Sequence, residues 1–221
     1  KNVIKVIKSD FLTTGPEVEK FERKLGKKFK SKYVSCVNSA TSALHLACLS
    51  LGLRKGDLLW TTAISFVASA NCGIYCGAKI DFVDIEIDTL NISIKDLERK
   101  LYLAKIKKKL PKIIVVVHLA GNPCDMKKIY NLKKKYGFKV IEDASHALGA
   151  KYKNYQIGDC KFSEACIFSF HPVKIITSAE GGAVLTNSSK IYRDINLLRN
   201  HGIDRKKNDG NLFYKQILLG F

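Results

Sequence analysis

The chain has 221 residues, 46% hydrophobic and 26% charged, the balance of an ordinary globular protein with room for one sizeable core or two small ones. Its formal charge of +18 comes from 38 Lys and Arg against 20 Asp and Glu, spread over "KKFKSK", "KIKKKLPK" and "NLKKKYG", which reads as solvated helix faces and not as a nucleic-acid surface. No apolar run reaches the length of a membrane span and "KNVIKVIKSDFL" lacks a signal-peptide core, so a soluble, unexported chain with no membrane or nucleic-acid partner is expected.

The seven cysteines form no C-x-x-C pair and several lie in apolar segments, which favours a reducing, cytoplasmic setting. The first residue is Lys1, so the chain is expected to begin inside a longer one.

In chain order, "GPEVEKFERKLGKKF" places Val18, Phe21, Leu25 and Phe29 on one helical face, with Pro16 suited to the first turn. "YVSCV" then reads as a strand, "SATSALHLACLSLG" as a helix ending at Gly52, "DLLWTT" as a strand and "SFVASANCGIYCG" as a helix ending at Gly77. Cys72 and Cys76 could share a helix face with a metal, but the small residues around them read more simply as core packing, and no metal is expected. "AKIDFVDI" is strand-like, and a helix through "IKDLERKLYLAKI" leads to "KIIVVVHLAG", whose β-branched run predicts a central strand covered on both faces. The amphipathic helix "CDMKKIYNLKKKYG" and the strand "FKVIED" follow, then "EACIFSF" and "GGAVLTN", two strand-like runs separated by Lys174 and a glycine turn, and the helix "SSKIYRDINLLRNHG". This alternation predicts βαβ units, an α/β fold with a mostly parallel sheet and helices on both faces, whose ligands bind at the carboxyl ends of the strands.

Several strand ends carry chemistry. After "YVSCV", "NSATSAL" opens a helix with small hydroxyl residues, which either cap it through Ser39 or Thr41 or offer free N–H groups to a phosphate. After "FKVIE" stands Asp143, either another N-cap or a carboxylate aimed into the crevice; after "EACIFSF" come His171, Pro172 and Lys174, a lysine that alone would read as surface charge. One chemistry needs all three features. Pyridoxal phosphate takes a lysine for covalent attachment, an acid that keeps its ring nitrogen protonated, and hydroxyls or a helix N-terminus for its phosphate.

The runs "NSATSALHLA", "VIEDASHALGA", "FSFHPVKIITSAEGGAVLTN" and "LLRNHG" resemble the nucleotide-sugar aminotransferases of the DegT/DnrJ/EryC1/StrS family, and the resemblance extends in order over nearly all of the chain. The resemblance implies the large domain of the pyridoxal-phosphate aminotransferase fold type I. It implies that Lys174 attaches the cofactor and moves protons, and that Asp143 pairs with the ring nitrogen. Ala40, Thr41 and Ser169 would hold the phosphate, Phe66 would lie on the ring face, and His146 would stand near the ring hydroxyl. It further implies transfer of an amino group from glutamate to C4 of a UDP-linked 4-keto-6-deoxy-N-acetylhexosamine, on the way to a pseudaminic-acid-type sugar, by a homodimer.

Departures from the family pattern are Ala63, where relatives commonly carry a proline, and the end of the chain at "LLGF", before the asparagine and small C-terminal domain that relatives carry. The expectation is therefore a cofactor-binding large domain over residues 1–221 with the C-terminal small domain absent, inactive and poorly soluble by itself. The family's sugar-dehydratase branch has histidine in place of the lysine, so Lys174 counts against it. A basic nucleic-acid-binding regulator has no recognition-helix, finger or aromatic RNA-binding motif to support it.

Overall fold

The computed structural model describes residues 1–204 and 215–221. A short helix α1 (Asn2–Ile7) precedes α2 (Pro16–Phe29), β1 (Tyr33–Val37), α3 (Ala40–Ser50), β2 (Leu58–Thr62), α4 (Ala68–Tyr75), β3 (Lys79–Val83), α5 (Ile94–Ile106), β4 (Ile113–Val117), α6 (Met126–Tyr136) and β5 (Lys139–Asp143). A two-residue-per-strand hairpin, β6 (Lys151–Tyr152) and β7 (Tyr155–Gln156), leads to β8 (Ala165–Ser169), β9 (Gly182–Thr186), α7 (Ser189–Leu198) and the short pair β10 (Ile203–Asp204) and β11 (Lys215–Gln216).

Every helix and strand of five residues or more that the sequence predicts is present, apart from shifts at the ends. One such shift is in α4, which begins at Ala68 and not at Ser65. The Ser69 and Ala70 N–H groups bond back to the carbonyls of Phe66 and Val67, so the segment before them is a turn that leaves Ile64, Phe66 and Val67 exposed. Helix α1 and the small hairpins have no periodic apolar signal long enough to be read from sequence.

The main sheet has seven strands in the order β1-β9-β8-β5-β4-β2-β3. Strands β3, β2, β4, β5 and β8 run parallel, while β9 is antiparallel to both β8 and β1. Side chains alternate across this sheet. Ile113, Val115, Ile141, Ala165, Ile167 and Val184 pack with α3, α4 and α7, whereas Ile114, Val116 and Val140 pack with α5 and α6. Cys166, Phe168, Ala183 and Leu185 face α2 through Leu25 and Phe29. Each fully buried Leu, Ile or Phe contributes about 1.5–3 kcal/mol, which makes these three clusters the main favourable contribution to the fold.

The open edge of β1 is closed by side chains. The Cys36 N–H donates to Glu22 Oε1 at 2.7 Å, and Arg199 Nη1 donates both to the same Glu22 oxygen at 2.6 Å and to the Cys36 carbonyl at 2.7 Å. Helices α2 and α7 are thereby tied to an edge strand whose backbone would otherwise be free to pair with another chain. Glu22→Ala leaves a largely covered guanidinium and a strand N–H without their acceptor, and is expected to lower unfolding free energy by about 2 kcal/mol. Urea denaturation checks this: the midpoint should fall with an unchanged slope.

Candidate active site

A cavity of about 380 Å³ opens at the carboxyl ends of β4, β5 and β8. The backbone rule for parallel sheets puts it there, and the alternation of side chains decides what faces it. Asp143 follows Ile141 by two residues and Ser169 follows Ile167 by two, so both lie on the α3 side of the sheet. Glu142, one residue earlier, points to the α5 and α6 side, where its Oε2 lies 2.9 Å from His118 Nε2.

All the residues singled out from sequence line this one cavity: Ala40, Thr41, Phe66, Asp143, His146, Ser169 and Lys174. A larger hollow of about 500 Å³ lies between α1 and α2 and contains none of them.

Asp143 is 5% exposed and caps no helix, since β5 is followed by a turn. Its Oδ1 accepts from the Ser145 N–H at 3.2 Å and the Ser145 hydroxyl at 2.7 Å, an Asx turn, while its Oδ2 accepts from the buried Ser69 hydroxyl at 2.6 Å. These donors lock the plane of the carboxyl group. Ser145 was legible as the second residue after an aspartate; Ser69 was not, because only the packing of α4 on the sheet brings the two together.

Lys174 lies in the loop between β8 and β9. From His171 to Glu180 every residue is exposed except Lys174, which is partly buried in the cavity wall. That pattern separates it from a solvated surface lysine. Its N–H bonds to the His171 carbonyl at 2.9 Å, and the loop is closed onto β8 by the Thr177 hydroxyl and the Ser178 N–H, both donating to the Phe170 carbonyl.

The N-terminus of α3 forms the opposite wall. Ser39 is its N-cap, accepting from the Ser42 N–H at 3.1 Å, and the Ala43 N–H returns to the Ser39 carbonyl, so Ala40 and Thr41 keep first-turn N–H groups without an intrahelical partner. Gly182 sets the distance between this helix start and the sheet. It is paired with Val37 on one side and Ser169 on the other, and a Cβ there would come within 2.5 Å of the Ser39 carbonyl carbon and 2.6 Å of the Ala40 nitrogen. Only glycine lets Ser169 and the start of α3 meet.

Phe66 stands on the rim, 68% exposed. His118, fully buried, reaches the floor; the Cys124 N–H donates to its Nδ1 at 3.1 Å, so its ring proton sits on Nε2, toward Glu142. Sequence reading missed His118 because its carboxylate partner lies on the next strand.

The profile of the DegT/DnrJ/EryC1/StrS aminotransferase family matches residues 1–221. The chain belongs to this family. Within the family it is 44% identical over 205 residues to a UDP-4-amino-4,6-dideoxy-N-acetyl-beta-L-altrosamine transaminase of Campylobacter jejuni, covering 92% of this chain and 52% of the relative. Helicobacter pylori PseC, described as an aminotransferase of pseudoaminic acid biosynthesis, superposes with a TM-score of 0.89 at 35% identity over 99% of this chain and 56% of that one. A Streptococcus pneumoniae protein described as a sugar aminotransferase, Spr1654, solved in its PLP form, superposes with a TM-score of 0.86 at 28% identity over 99% of this chain and 58% of that one. The chain thus spans about half the length of the family members it matches.

His146 is exposed on the cavity wall. The burial that its ring does have, and after it the Lys174 ammonium, push its imidazole below the ordinary 6.5, with Asp143 opposing them. The imidazole is therefore neutral at neutral pH. Lys174→Ala removes a neighbouring positive charge and is expected to raise the His146 pKa, and Asp143→Asn to lower it further; imidazole proton shifts followed by NMR through acid pH check both signs. A depressed folded value also means that the unfolded chain protonates first, so His146 takes stability away as pH falls from 6.5 toward that value.

Proposed function

We propose that residues 1–221 form the cofactor-binding part of a pyridoxal-phosphate aminotransferase. The reaction we assign is transfer of an amino group from glutamate to C4 of a UDP-linked 4-keto-6-deoxy-N-acetylhexosamine, in the making of a pseudaminic-acid-type sugar. The observation that carries the reading is the convergence of a partly buried Lys174, a locked Asp143 carboxylate and the start of α3 on one cavity. The Campylobacter relative's similarity supports the choice of sugar.

The residues present fit the cofactor. Gly182 leaves the start of α3 close enough to Ser169 for the N–H groups of Ala40 and Thr41 and the hydroxyls of Thr41 and Ser169 to hold a phosphate together. Asp143 has both oxygens oriented by serine donors and retains lone pairs for a ring N–H. Phe66, an aromatic otherwise left in water, offers its face to a flat ring. When bound, pyridoxal phosphate supplies an electron sink for the carbanion formed as the amino group changes carbon.

Lys174 Nζ would hold the cofactor covalently and, as a free amine, would accept and return the proton that moves during the transfer. Asp143 would hold a protonated ring nitrogen by charge and hydrogen bond. His146, neutral beside Lys174, can hydrogen-bond the ring hydroxyl without adding a second positive charge. Apolar side chains exposed at and near the mouth, Phe66 at 68%, Val173 at 77% and Ile175 at 62%, suit burial against a second copy of the chain.

Among the described residues no helix is long and apolar enough to cross a membrane. A cytoplasmic homodimer is the setting we assign.

The test is glutamate-dependent amination of the UDP-4-keto sugar, followed by mass spectrometry of the nucleotide sugar; no amination by a protein that retains pyridoxal phosphate would reject the substrate assignment. Borohydride reduction of the yellow protein followed by proteolysis should place the pyridoxyl group on the peptide containing Lys174, and a label on another lysine would reject the site. Phe66→Ala should change folding stability by less than about 0.5 kcal/mol, as its side chain is exposed. The same change should weaken cofactor retention by about 1 kcal/mol, roughly fivefold. Equilibrium dialysis and a urea titration separate the two effects.

A further inference from the structure

Three histidines line the active-site cavity, and of these His118 alone is buried. Both of its ring nitrogens are engaged by the protein: Nδ1 accepts from the Cys124 N–H at 3.1 Å, and Nε2 lies 2.9 Å from Glu142 Oε2. Burial opposes a second proton on this ring, whereas the Cys124 and Glu142 side chains draw one toward it. The Cys124 backbone N–H decides for the neutral ring, because it occupies the lone pair that the second proton would need. His118 is therefore a donor to Glu142 with no nitrogen left to exchange protons with a ligand.

Its position lets it act on Asp143 from two sides. The His118 backbone N–H donates to the Asp143 carbonyl at 3.1 Å, next to the Val117–Asp143 pair that ends the ladder between β4 and β5. Its ring holds Glu142, one residue earlier, on the opposite face of the sheet, and the other Glu142 oxygen accepts from the Ser163 hydroxyl just before β8. Successive residues of β5 are thus fixed by one histidine, and only the side-chain rotations of Asp143 remain for Ser69 and Ser145 to set. The segment that carries His118 is pinned in turn. The Cys124 thiol donates to the Val117 carbonyl at 3.1 Å, and the buried Asn91 accepts from the Leu119 N–H at 3.1 Å and donates to the Asn122 carbonyl at 2.9 Å.

We propose, on the reading of this cavity as a pyridoxal-phosphate site, that His118 is a positioning residue for Asp143, aiming its carboxylate at the cofactor's ring nitrogen by tethering Glu142 beneath the sheet. It takes no part in proton transfer. Without the ring, Glu142 loses a buried donor and turns to find another, and the peptide that joins it to Asp143 turns with it. The backbone bond from His118 to the Asp143 carbonyl survives any substitution, so the side chain's contribution is the Glu142 tether alone.

Binding of pyridoxal phosphate to the apo-protein is measured by equilibrium dialysis for the wild type, for Asp143→Asn and for His118→Leu, His118→Gln and His118→Asn, with folding of each checked by urea titration. A wild type that binds none, or Asp143→Asn without effect, would reject the cofactor reading and this proposal with it. His118→Leu should weaken binding at least roughly threefold in the wild-type background and add nothing once Asp143 is replaced, since the two residues act as one unit. Glutamine, whose amide nitrogen reaches the place of Nε2, should restore binding; asparagine, whose amide falls near Nδ1, should not. Equal losses with and without Asp143, or no rescue by glutamine, would overturn the positioning role and leave the cofactor site standing. Should the leucine variant not fold, the asparagine variant takes its place in the cycle. Nitrogen NMR of the wild-type imidazole should find the His118 proton on Nε2 at neutral pH, and a proton on Nδ1 would equally overturn the proposal.

Discussion

Glu142 and Asp143 are neighbours in the chain, and the pleat of β5 sends them to opposite faces of the sheet. The active-site cavity depends on that alternation. On the α3 side, Asp143 finds Ser69 of α4 and the Ser145 turn, and becomes a carboxylate held in one plane beneath the crevice. On the α5 and α6 side, Glu142 finds His118 and the Ser163 hydroxyl, a pair that satisfies two buried polar groups and has the carboxyl end of β4 tied to β5. A shift of one residue in the register of β5 would exchange the two carboxylates. The seven-strand order, with β5 in the middle, makes such a shift costly because both neighbours of β5 would lose their pairing.

A second constraint is the approach of α3 to β9. Backbone comes so close to backbone at Gly182 that no side chain fits, and the gain is that a helix start with free N–H groups lies beside the end of β8. The antiparallel placement of β9 next to β8 goes with the connection between them: parallel neighbours need a crossover over one face of the sheet, usually a helix, whereas the loop from Phe170 to Gly181 contains no helix and turns back. Within that loop, between His171 and Glu180, Lys174 alone is partly buried, and it lines the cavity. Helices α3 and α4 both contribute walls to this cavity.

What the amino-acid sequence determined by itself was the class of the fold and the identity of the residues at the strand ends. Apolar periodicity of two and of 3.6, with glycine and serine at helix ends, is local information, and it located each long element to within a few residues. Lys174, Asp143 and Thr41 were legible because each stands at or just after a readable strand or at the start of a readable helix, whereas Ser169 came with the family resemblance. The same local signals left Ser39 open between a cap and a phosphate ligand, Asp143 between a cap and a free carboxylate, and Lys174 between a site and a surface charge. Contacts between distant segments bear on these. The tertiary structure showed Ser39 capping, Asp143 bonded to a serine 74 residues away, and Lys174 partly covered in an exposed loop. It also supplied His118 opposite Glu142. The physical reason is range: a cap or a period is written within a turn or two of chain, whereas a hydrogen bond between distant segments exists only once the sheet has fixed which faces meet.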